Sequence, residues 1–395
     1  MLSTPPERSP TRAPLWRQPL FRAIVVQVLL VLGLVAFGWY LLSNTLSNME
    51  QRGITTGFDF LSNEAGFGIL QSLIEYDETH TYGRTFLVGL LNTLLVAVLG
   101  VFLATVIGFV VGIARLSPNW LVARLATVYI ETFRNLPLLL QIMFWYFAVL
   151  RPLPLPRQSL SLGDSVFLNN RGLFMPQPVP EEGFGVVLAA FILAVVLVIA
   201  ISWWARRRQA ETGRQFPTFS VGVLLVIGLP LLAYWLSGAP MHWEYPELKG
   251  FNFRGGIEII PELAALVLAL SIYTGAFIAE AVRSGIQAVS HGQTEAAYAL
   301  GLKPQVTLKL VIIPQAMRVI IPQLTSQYLN LTKNSSLATA IGYPDLVNVF
   351  AGTTLNQTGQ AVEVIAMTMA VYLVISLTIS LFMNWYNKRS QLVER

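Results

Sequence analysis

The chain has 395 residues, of which 54% are hydrophobic and only 12% are charged, and its formal net charge is +5. Because a soluble globular domain carries about 25% charged residues, this composition excludes such a domain and predicts a protein that crosses a membrane several times. The sequence contains no cysteine, which excludes a disulfide framework and thiolate metal ligands.

Eight stretches are apolar and long enough to cross a bilayer, which takes about 20 mostly apolar residues. In chain order they are 23–42, 86–114, 124–150, 184–204, 219–238, 258–282, 312–332 and 362–386. The third stretch is interrupted by Arg134-Asn135-Leu136-Pro137, so we predict a surface helix from Arg124 and a crossing that begins near Pro137. The predicted fold class is all-α and polytopic, with about eight transmembrane helices.

Basic residues are distributed unevenly between the two sides of these spans. With the N-terminus inside, 16 of the 26 lysines and arginines fall in inner segments and 8 in outer segments, while Arg134 and Arg318 lie near or within spans. Cytoplasmic loops carry such an excess of basic residues. We therefore predict that both termini are cytoplasmic. The outer segments 43–85 and 151–183 are expected to be ordinary solvated loops.

The motifs of several enzyme classes are missing from the sequence. No lysine precedes serine or threonine, so there is no GxxxxGK[ST] phosphate loop, and no serine lies in a GxSxG motif. The histidines His80, His242 and His291 lie far apart and form no HExxH motif. We therefore expect no catalytic residue, no metal site and no enzyme activity in this chain.

A short polar insert separates the sixth and seventh spans. Ser290 or Thr294 can cap a helix that begins near Glu295, whose carboxylate in the first turn would favour the positive end of the helix dipole. Ala296 and Ala297 follow as a face of small side chains, which lets another surface approach the backbone closely.

The end of this helix is also encoded in the insert. Gly301 supplies a helix stop, and Pro304 suits the first turn of a second helix that returns to the membrane near Pro314. The pattern predicts a rigid helix that fits a groove on another protein. The alternative is an amphipathic helix on the lipid headgroups, which the weak apolar content and few basic residues disfavour.

The insert resembles the signature loop of ABC importer permeases, which reads Glu-Ala-Ala, three residues, Gly, nine residues, an aliphatic, one residue, an aliphatic and Pro. In this chain it is Glu295, Ala296, Ala297, Gly301, Val311, Ile313 and Pro314, where the family usually has Ile and Leu at the aliphatic positions. That loop forms the family's coupling helices, which dock into the ATPase subunit. The resemblance implies an ATPase-coupling role for Glu295, Ala296, Ala297 and Gly301.

Further stretches narrow the resemblance to the polar amino-acid permeases of the histidine and glutamine type. ETFRNLPLLLQIMFWYF at 131–147 resembles their FFRGTPLLVQ stretch, with Asn135-Leu136 in place of Gly-Thr. Residues 274–297 and 89–117 are similar to their sixth-span-to-loop segment and first core helix. The spans at 23–42 and 184–238 lie outside the usual five-helix core, a layout similar to that of the general L-amino-acid permeases.

The resemblance implies an organisation in five parts. They are a cytoplasmic tail at 1–22, an extra first span and periplasmic loop at 23–85, the first part of the permease core at 86–150, periplasmic loops with two extra spans at 151–257, and the second part of the core at 258–390 with a cytoplasmic coupling loop at 284–311.

The implied function is that of the permease subunit of an ATP-driven ABC importer in the bacterial inner membrane. It would take up L-amino acids from a periplasmic binding protein, with a second related permease chain as partner, most simply in a heterodimer. ATP and Mg²⁺ would be held by a cytoplasmic ABC ATPase dimer, so this chain needs no cofactor of its own. Contacts with membrane lipid are expected and contacts with nucleic acid are not. The alternatives are an importer permease for another small solute and an ATP-independent carrier or channel.

Polar side chains within two spans mark a candidate substrate path, because such groups are costly in a bilayer. They are Ser271, Tyr273 and Thr274 in the sixth span and Gln323, Gln327, Asn330 and Asn334 in the seventh. The seventh-span residues, which we name the polar stripe, recur at i, i+4, i+7 and i+11 and share one helical face. The alternative is that they bond to neighbouring helices or to a partner chain.

Four charged residues near the predicted cytoplasmic side have a different expected role. Glu131, Arg134, Glu280 and Arg283 are predicted to form structural or gating ion pairs rather than contacts with a substrate. On the other side, residues 342–345 predict a turn or a re-entrant segment.

Overall fold

The computed structural model describes residues 19–51 and 56–390, so most of the predicted tail at 1–22 lies outside the described residues. The α-helices are α1 Pro19–Gln51, α2 Tyr82–Arg115, α3 Trp120–Asn135, α4 Leu138–Met143, α5 Phe184–Thr212, α6 Thr218–Leu236, α7 Pro261–Gln287, α8 His291–Ala299, α9 Pro304–Thr307, α10 Ile313–Asn334, α11 Leu355–Thr358 and α12 Ala361–Ser390. Wider π-helical turns follow α4 at Phe144–Leu150, join α9 to α10 at Leu308–Ile312 and precede α11 at Val347–Thr354. Short 3₁₀ turns occupy Asp59–Ser62, Pro156–Gln158 and Ser335–Ile341.

The prediction of about eight membrane-crossing segments is confirmed. Among the described residues, seven helical segments are long and apolar enough to cross a membrane, and the pair of α3 with Leu138–Leu150 makes an eighth if it is counted as one span. That pair bends by 105°. Pro137 causes the break, because it has no N–H to donate and forces Leu136 into an extended conformation with φ −93° and ψ 133°.

Helix α7 forms the centre of the membrane bundle. In its most apolar stretch 72% of the residues are buried, whereas none is buried in α1. Helices α2 and α7 lie side by side and run in the same direction. Helix α10 also packs against α7 but runs in the opposite direction. The close contact of α2 with α7 depends on Gly108 and Gly112, which are four residues apart on one face. A Cβ atom on Gly112 would lie 2.7 Å from the carbonyl oxygen of Ala279.

The segments between spans carry strands that the sequence analysis did not predict. They are β1 Leu160–Leu162, β2 Val166–Asn169, β3 Gly172–Met175, β4 Gln177–Pro180, β5 Met241–Glu244, β6 Glu247–Lys249, β7 Asn252–Arg254 and β8 Ile257–Ile259. The expectation of an ordinary solvated loop at 151–183 was therefore wrong. These strands are only three or four residues long, too short for alternating polarity to reveal.

The strands join chain segments on either side of α5 and α6. One antiparallel sheet has the order β1-β2-β3-β8, and β4 pairs with β5 in a second sheet. The registers Leu173↔Ile259 and Val179↔His242 bring the chain that enters α5 against the chain that leaves α6. Phe253 stacks on Phe167 with 4.5 Å between the ring centroids. We name this unit, residues 160–180 and 241–259, the outer module.

The first outer segment also packs rather than remaining solvated throughout. Phe60 and Ala65 are buried with Tyr82, Leu346 and Phe350 in an apolar cluster. The expectation of an ordinary solvated loop at 43–85 is therefore wrong for the part that includes these two residues.

The turn at 342–345 is confirmed, and it is held by hydrogen bonds to the N-terminal half of α2. Gly342 adopts φ +75°, and Asn92 donates its side-chain N–H to the carbonyl oxygen of Pro344 at 2.9 Å. The Tyr343 hydroxyl in turn donates to the carbonyl oxygen of Asn92 at 3.2 Å. These bonds tie the chain that follows α10 to the central helix pair.

Three helices lie outside the central packing. Helices α5 and α6 pack extensively on each other as a hairpin. Every described side chain of α1 is exposed. In the part of the chain that the structure describes, neither α1 nor the hairpin makes an extensive contact with α2, α7, α10 or α12. The division of the chain into five named parts stays a prediction.

Candidate coupling surface and transport path

The coupling loop contains a helix that begins earlier than predicted. Helix α8 starts at His291, directly after Ser290, which occupies the cap position but makes no side-chain cap bond. The prediction of a start near Glu295, with Thr294 as a possible cap, was wrong because the helix begins after the other predicted cap, Ser290, and includes Gly292 in its first turn. Glu295 therefore lies in the second turn, where its Oε1 is 3.0 Å from Nδ1 of His291.

The two alanines of the signature point in different directions. Ala296 is exposed, whereas Ala297 is buried against the segment that α8 packs on, α9 with Leu308–Ile312. The prediction of one open face formed by both alanines was therefore wrong, because Ala297 packs toward the returning segment and Ala296 does not. Tyr298 and Leu300 join Ala296 on the outside and are 50% and 81% exposed. We name Glu295, Ala296, Tyr298 and Leu300 the docking face.

The predicted stop and restart around Gly301 are confirmed. Gly301 has φ +74° and is the first residue after the α8 cap, the left-handed position that favours glycine. Nothing lies within 4 Å of the place where its Cβ would be. Pro304 is the first residue of α9, which continues through Leu308–Ile312 into the membrane helix α10. The docking face is therefore connected to a span through the short turn at 301–303 and the unbroken helical segment that begins at Pro304.

Three of the four predicted ion-pair residues meet in one network. The Glu280 carboxylate lies 2.5 Å from Nη2 of Arg283 and 2.6 Å from Nη1 of Arg115. Arg115 also reaches Oε1 of Glu131 at 3.6 Å. The network joins the last turn of α2 to α3 and α7, and half-buried guanidinium and carboxylate groups hold it together.

The fourth predicted residue, Arg134, is placed differently. Its guanidinium carbon lies 5.2 Å from the ring centroid of Phe277, a cation–π contact, and it forms no ion pair within the described residues. Arg115 was missed by the sequence analysis as a member of this network, because the fold alone brings the end of α2 beside Glu280 and Glu131. Whether the network has a gating role stays a prediction.

The predicted path residues fall into two groups. Ser271 and Thr274 are buried inside the packing of α7, and Tyr273 is half-buried beside Phe277 at 4.9 Å between ring centroids. The Ser271 hydroxyl has no hydrogen-bond partner among the described residues. The geometry places these three in the core of the protomer rather than on an open surface.

The polar stripe lies along one face of α10 and points out of the protomer. Asn330 is exposed, and Gln323, Gln327 and Asn334 are half-buried. None of the four side chains hydrogen-bonds to another residue in the described ranges 19–51 and 56–390. Within the protomer the stripe therefore does not bond neighbouring helices. Two roles therefore remain for the stripe: it lines a substrate path, or it bonds to a partner chain.

A groove of about 470 Å³ begins where the stripe ends. It is lined by Lys333, Ser336, Val347, Thr368, Met369, Tyr372, Leu373 and Ser376. Lys333 follows Asn330 by three residues, so its ammonium group lies on the adjoining part of the helix surface. The sequence analysis counted Lys333 among the basic residues of the outer segments, although a lysine next to Asn334, the last residue of the polar stripe, was a signal that could have found it.

A family profile and three relatives match this chain. The profile of the binding-protein-dependent transport system inner membrane component matches residues 206–391. The putative amino-acid ABC transporter permease protein YhdX of Escherichia coli is 60% identical over 95% of this chain and 96% of its own length. The general L-amino acid transport system permease protein AapQ of Rhizobium johnstonii is 53% identical over 95% and 94%.

A third relative aligns with this chain over the full length of both proteins. It is the glutamate/glutamine/aspartate/asparagine transport system permease protein BztB of Rhodobacter capsulatus, which is 45% identical over 100% of each chain.

The chain belongs to the amino-acid ABC transporter permeases.

The family membership confirms the resemblance carried by residues 131–147 and 274–297. This permease is a multi-pass transport subunit of the inner membrane. The alignments with two of these relatives cover 95% of this chain and therefore include its three additional spans.

Proposed function

We propose that this permease carries L-amino acids across the inner membrane as part of an importer driven by a separate cytoplasmic ABC ATPase dimer. A periplasmic binding protein delivers the amino acid, and a second related permease chain completes the membrane part. ATP and Mg²⁺ are bound by the ATPase, and this chain holds no cofactor. The observation that carries the proposal is the exposed docking face, which is connected through α9 to the span α10.

The docking face has the surface of a protein contact rather than of a solvated loop. Tyr298 and Leu300 expose apolar surface next to the carboxylate of Glu295. Exposed apolar groups rimmed by polar groups mark interaction sites. We place this face in the cytoplasm because the basic residues of the chain are concentrated on that side. Movement of the ATPase would reach α10 through Leu308–Ile312.

The polar stripe supports a path at the edge of the protomer. A zwitterionic amino acid needs donors for its carboxylate and acceptors for its ammonium group. Side-chain amides supply both, and Lys333 adds a cation where the stripe ends. Because the stripe points out of the protomer, we place the path between this chain and the second permease. A path through the interior would have to open the packing around Ser271 and Thr274.

Reconstitution tests the proposal against its rivals. The permease, its partner permease and the ATPase are placed in vesicles together with the binding protein, and uptake of radiolabelled glutamate, glutamine and histidine is measured. We expect uptake that requires ATP and the binding protein, and none with this chain alone. Transport by this chain alone without ATP would support a channel or carrier instead. ATP-dependent uptake of methionine or an oxyanion, without uptake of these amino acids, would support the other importer class.

Asn330→Leu tests whether the polar stripe lines the path. Asn330 is exposed and has no intramolecular partner among the described residues, so the substitution should leave folding intact. Loss of one hydrogen bond to the amino acid costs about 1 kcal/mol, so the KM for uptake should rise roughly fivefold. Asn384→Leu, also exposed but on α12, is the matched control and should leave the KM unchanged. An unaltered uptake curve for Asn330→Leu would assign the stripe to contacts with the partner chain.

A further inference from the structure

A groove runs between α5 and α6 near the short loop that joins them. It has a volume of about 480 Å³. Its lining is Val198, Ser202, Thr218, Phe219, Gly222, Val223, Val226 and Ile227. Gly222 of α6 lies beside Val198 of α5, and a Cβ there would be in van der Waals contact with Val198 at 3.4 Å. Because the hairpin makes no extensive contact with the other described helices, this apolar groove opens toward the lipid.

Four arginines follow the groove-lining part of α5 in the sequence. Val198, Ser202 and Arg206 recur every four residues along α5, so Arg206 continues the face that forms the wall of the groove. Residues 206–214 contain Arg206, Arg207, Arg208 and Arg214 and one acidic residue, Glu211. None of the four arginines forms an ion pair with another residue in the described part of the chain. Arg206 therefore brings a positive charge to the end of the groove wall, within a strongly basic segment of the chain.

Two tryptophans next to the arginines indicate where this part of the chain meets the membrane boundary. They also hold two of the guanidinium groups in place. The guanidinium carbon of Arg207 lies 4.4 Å from the ring centroid of Trp203, and that of Arg208 lies 5.2 Å from Trp204. Trp203 is 62% exposed. Tryptophan is enriched where the bilayer meets water, and arginine there is available to headgroups. The contacts hold two guanidinium groups in place beside the membrane surface.

The start of α6 adds backbone donors on the other wall. Pro217 precedes the helix and has no side chain that could cap it, so first-turn N–H groups of α6 lack a side-chain acceptor. The N-terminus of a helix favours an anion. Thr218, in the first turn, lines the groove itself.

We propose that the groove and Arg206 form a binding site for an anionic phospholipid, with Arg207 and Arg208 adding positive charge in the same helical turn. The acyl chain lies in the groove between Val198 and Val223, and the phosphate lies between Arg206 and the first turn of α6. A zwitterionic lipid could fill the groove but would gain less from the positive surface. The site is separate from the docking face and the polar stripe, so the inference does not depend on the proposed transport function.

Lipid retention by the purified full-length chain tests this site. The chain is delipidated in detergent, titrated with dioleoyl-phosphatidylglycerol or dioleoyl-phosphatidylcholine, and examined by native mass spectrometry. We expect a first phosphatidylglycerol that binds at least about tenfold more tightly than phosphatidylcholine. The Arg206→Gln, Arg207→Gln, Arg208→Gln triple variant should lose this preference. Equal binding of the two lipids by the unaltered chain would overturn the proposal.

A second triple variant separates the site from general charge attraction. Arg157→Gln, Arg171→Gln and Arg254→Gln remove the same charge from the outer segments and should keep the preference for phosphatidylglycerol. If this control variant loses as much of the preference for phosphatidylglycerol as the variant at residues 206–208, the site is refuted. Ser202→Phe fills the groove without changing charge and should weaken both lipids, whereas Ile199→Phe on a 65% exposed position of α5 should weaken neither. Monodisperse elution of every variant shows that it is folded. Unchanged lipid binding by Ser202→Phe would refute the proposal that the acyl chain lies in the groove.

Discussion

Gly301→Asp is expected to stop amino-acid uptake while ATP hydrolysis by the assembled transporter continues. The substitution adds a carboxylate beside the docking face at a position with nothing within 4 Å, so the chain itself can accommodate the side chain. A carboxylate buried without a partner in a protein interface costs roughly 2–5 kcal/mol. Uptake should therefore fall at least about tenfold. The measurements are uptake into vesicles and ATPase rate, made on the same preparation.

Gly301→Asn is the matched control for backbone strain. Gly301 has φ +74°, and asparagine and aspartate both tolerate this conformation better than other residues with a side chain. The two variants have nearly the same size and differ in charge. Gly301→Asn should therefore retain most of the uptake. Normal uptake by Gly301→Asp would mean that no ATPase contacts this end of α8, whereas equal loss in both variants would implicate the backbone turn rather than the contact.

Gly112→Val is expected to have the largest effect on stability. A Cβ at Gly112 would lie 2.7 Å from the carbonyl oxygen of Ala279 and 2.8 Å from Cβ of Val282. The first of these atoms is backbone and cannot move unless α2 and α7 separate. Overpacking of this kind costs about 1–3 kcal/mol, so the melting midpoint of the solubilised chain should drop by roughly 1–4 °C.

Gly38→Val separates this packing effect from the cost of valine in a helix. Gly38 lies in α1 and has nothing within 4 Å of its Cβ position, so valine should change the melting midpoint little there. Thermal unfolding of both variants, followed by light scattering or intrinsic fluorescence, makes the comparison. If the two midpoints coincide, the contact between α2 and α7 does not depend on the glycines.

The spans, the break in the third span and the stop at Gly301 could all be predicted because each depends on a few neighbouring residues. Burial of apolar side chains in lipid requires about 20 consecutive residues of one character, and that requirement is visible in the chain itself. Pro137 breaks the helix whatever packs around it. The signature from Glu295 to Pro314 identified the family, because its spacing is long and specific.

Other features depend on residues that are distant in the sequence, and the fold alone brings them together. Arg115 of α2 forms an ion pair with Glu280 of α7. Gly112 lets the backbone of Ala279 come close to α2, and Leu173 of β3 pairs with Ile259 of β8. The sequence does not show which residue will pair with a given charge, glycine or three-residue strand, since many different partners would be equally suitable. The direction in which Ala297 points was likewise fixed by packing against the segment after Gly301. Local chemistry thus specified the spans and turns of this permease, and long-range packing chose which of their surfaces are buried and which remain open to partners and lipid.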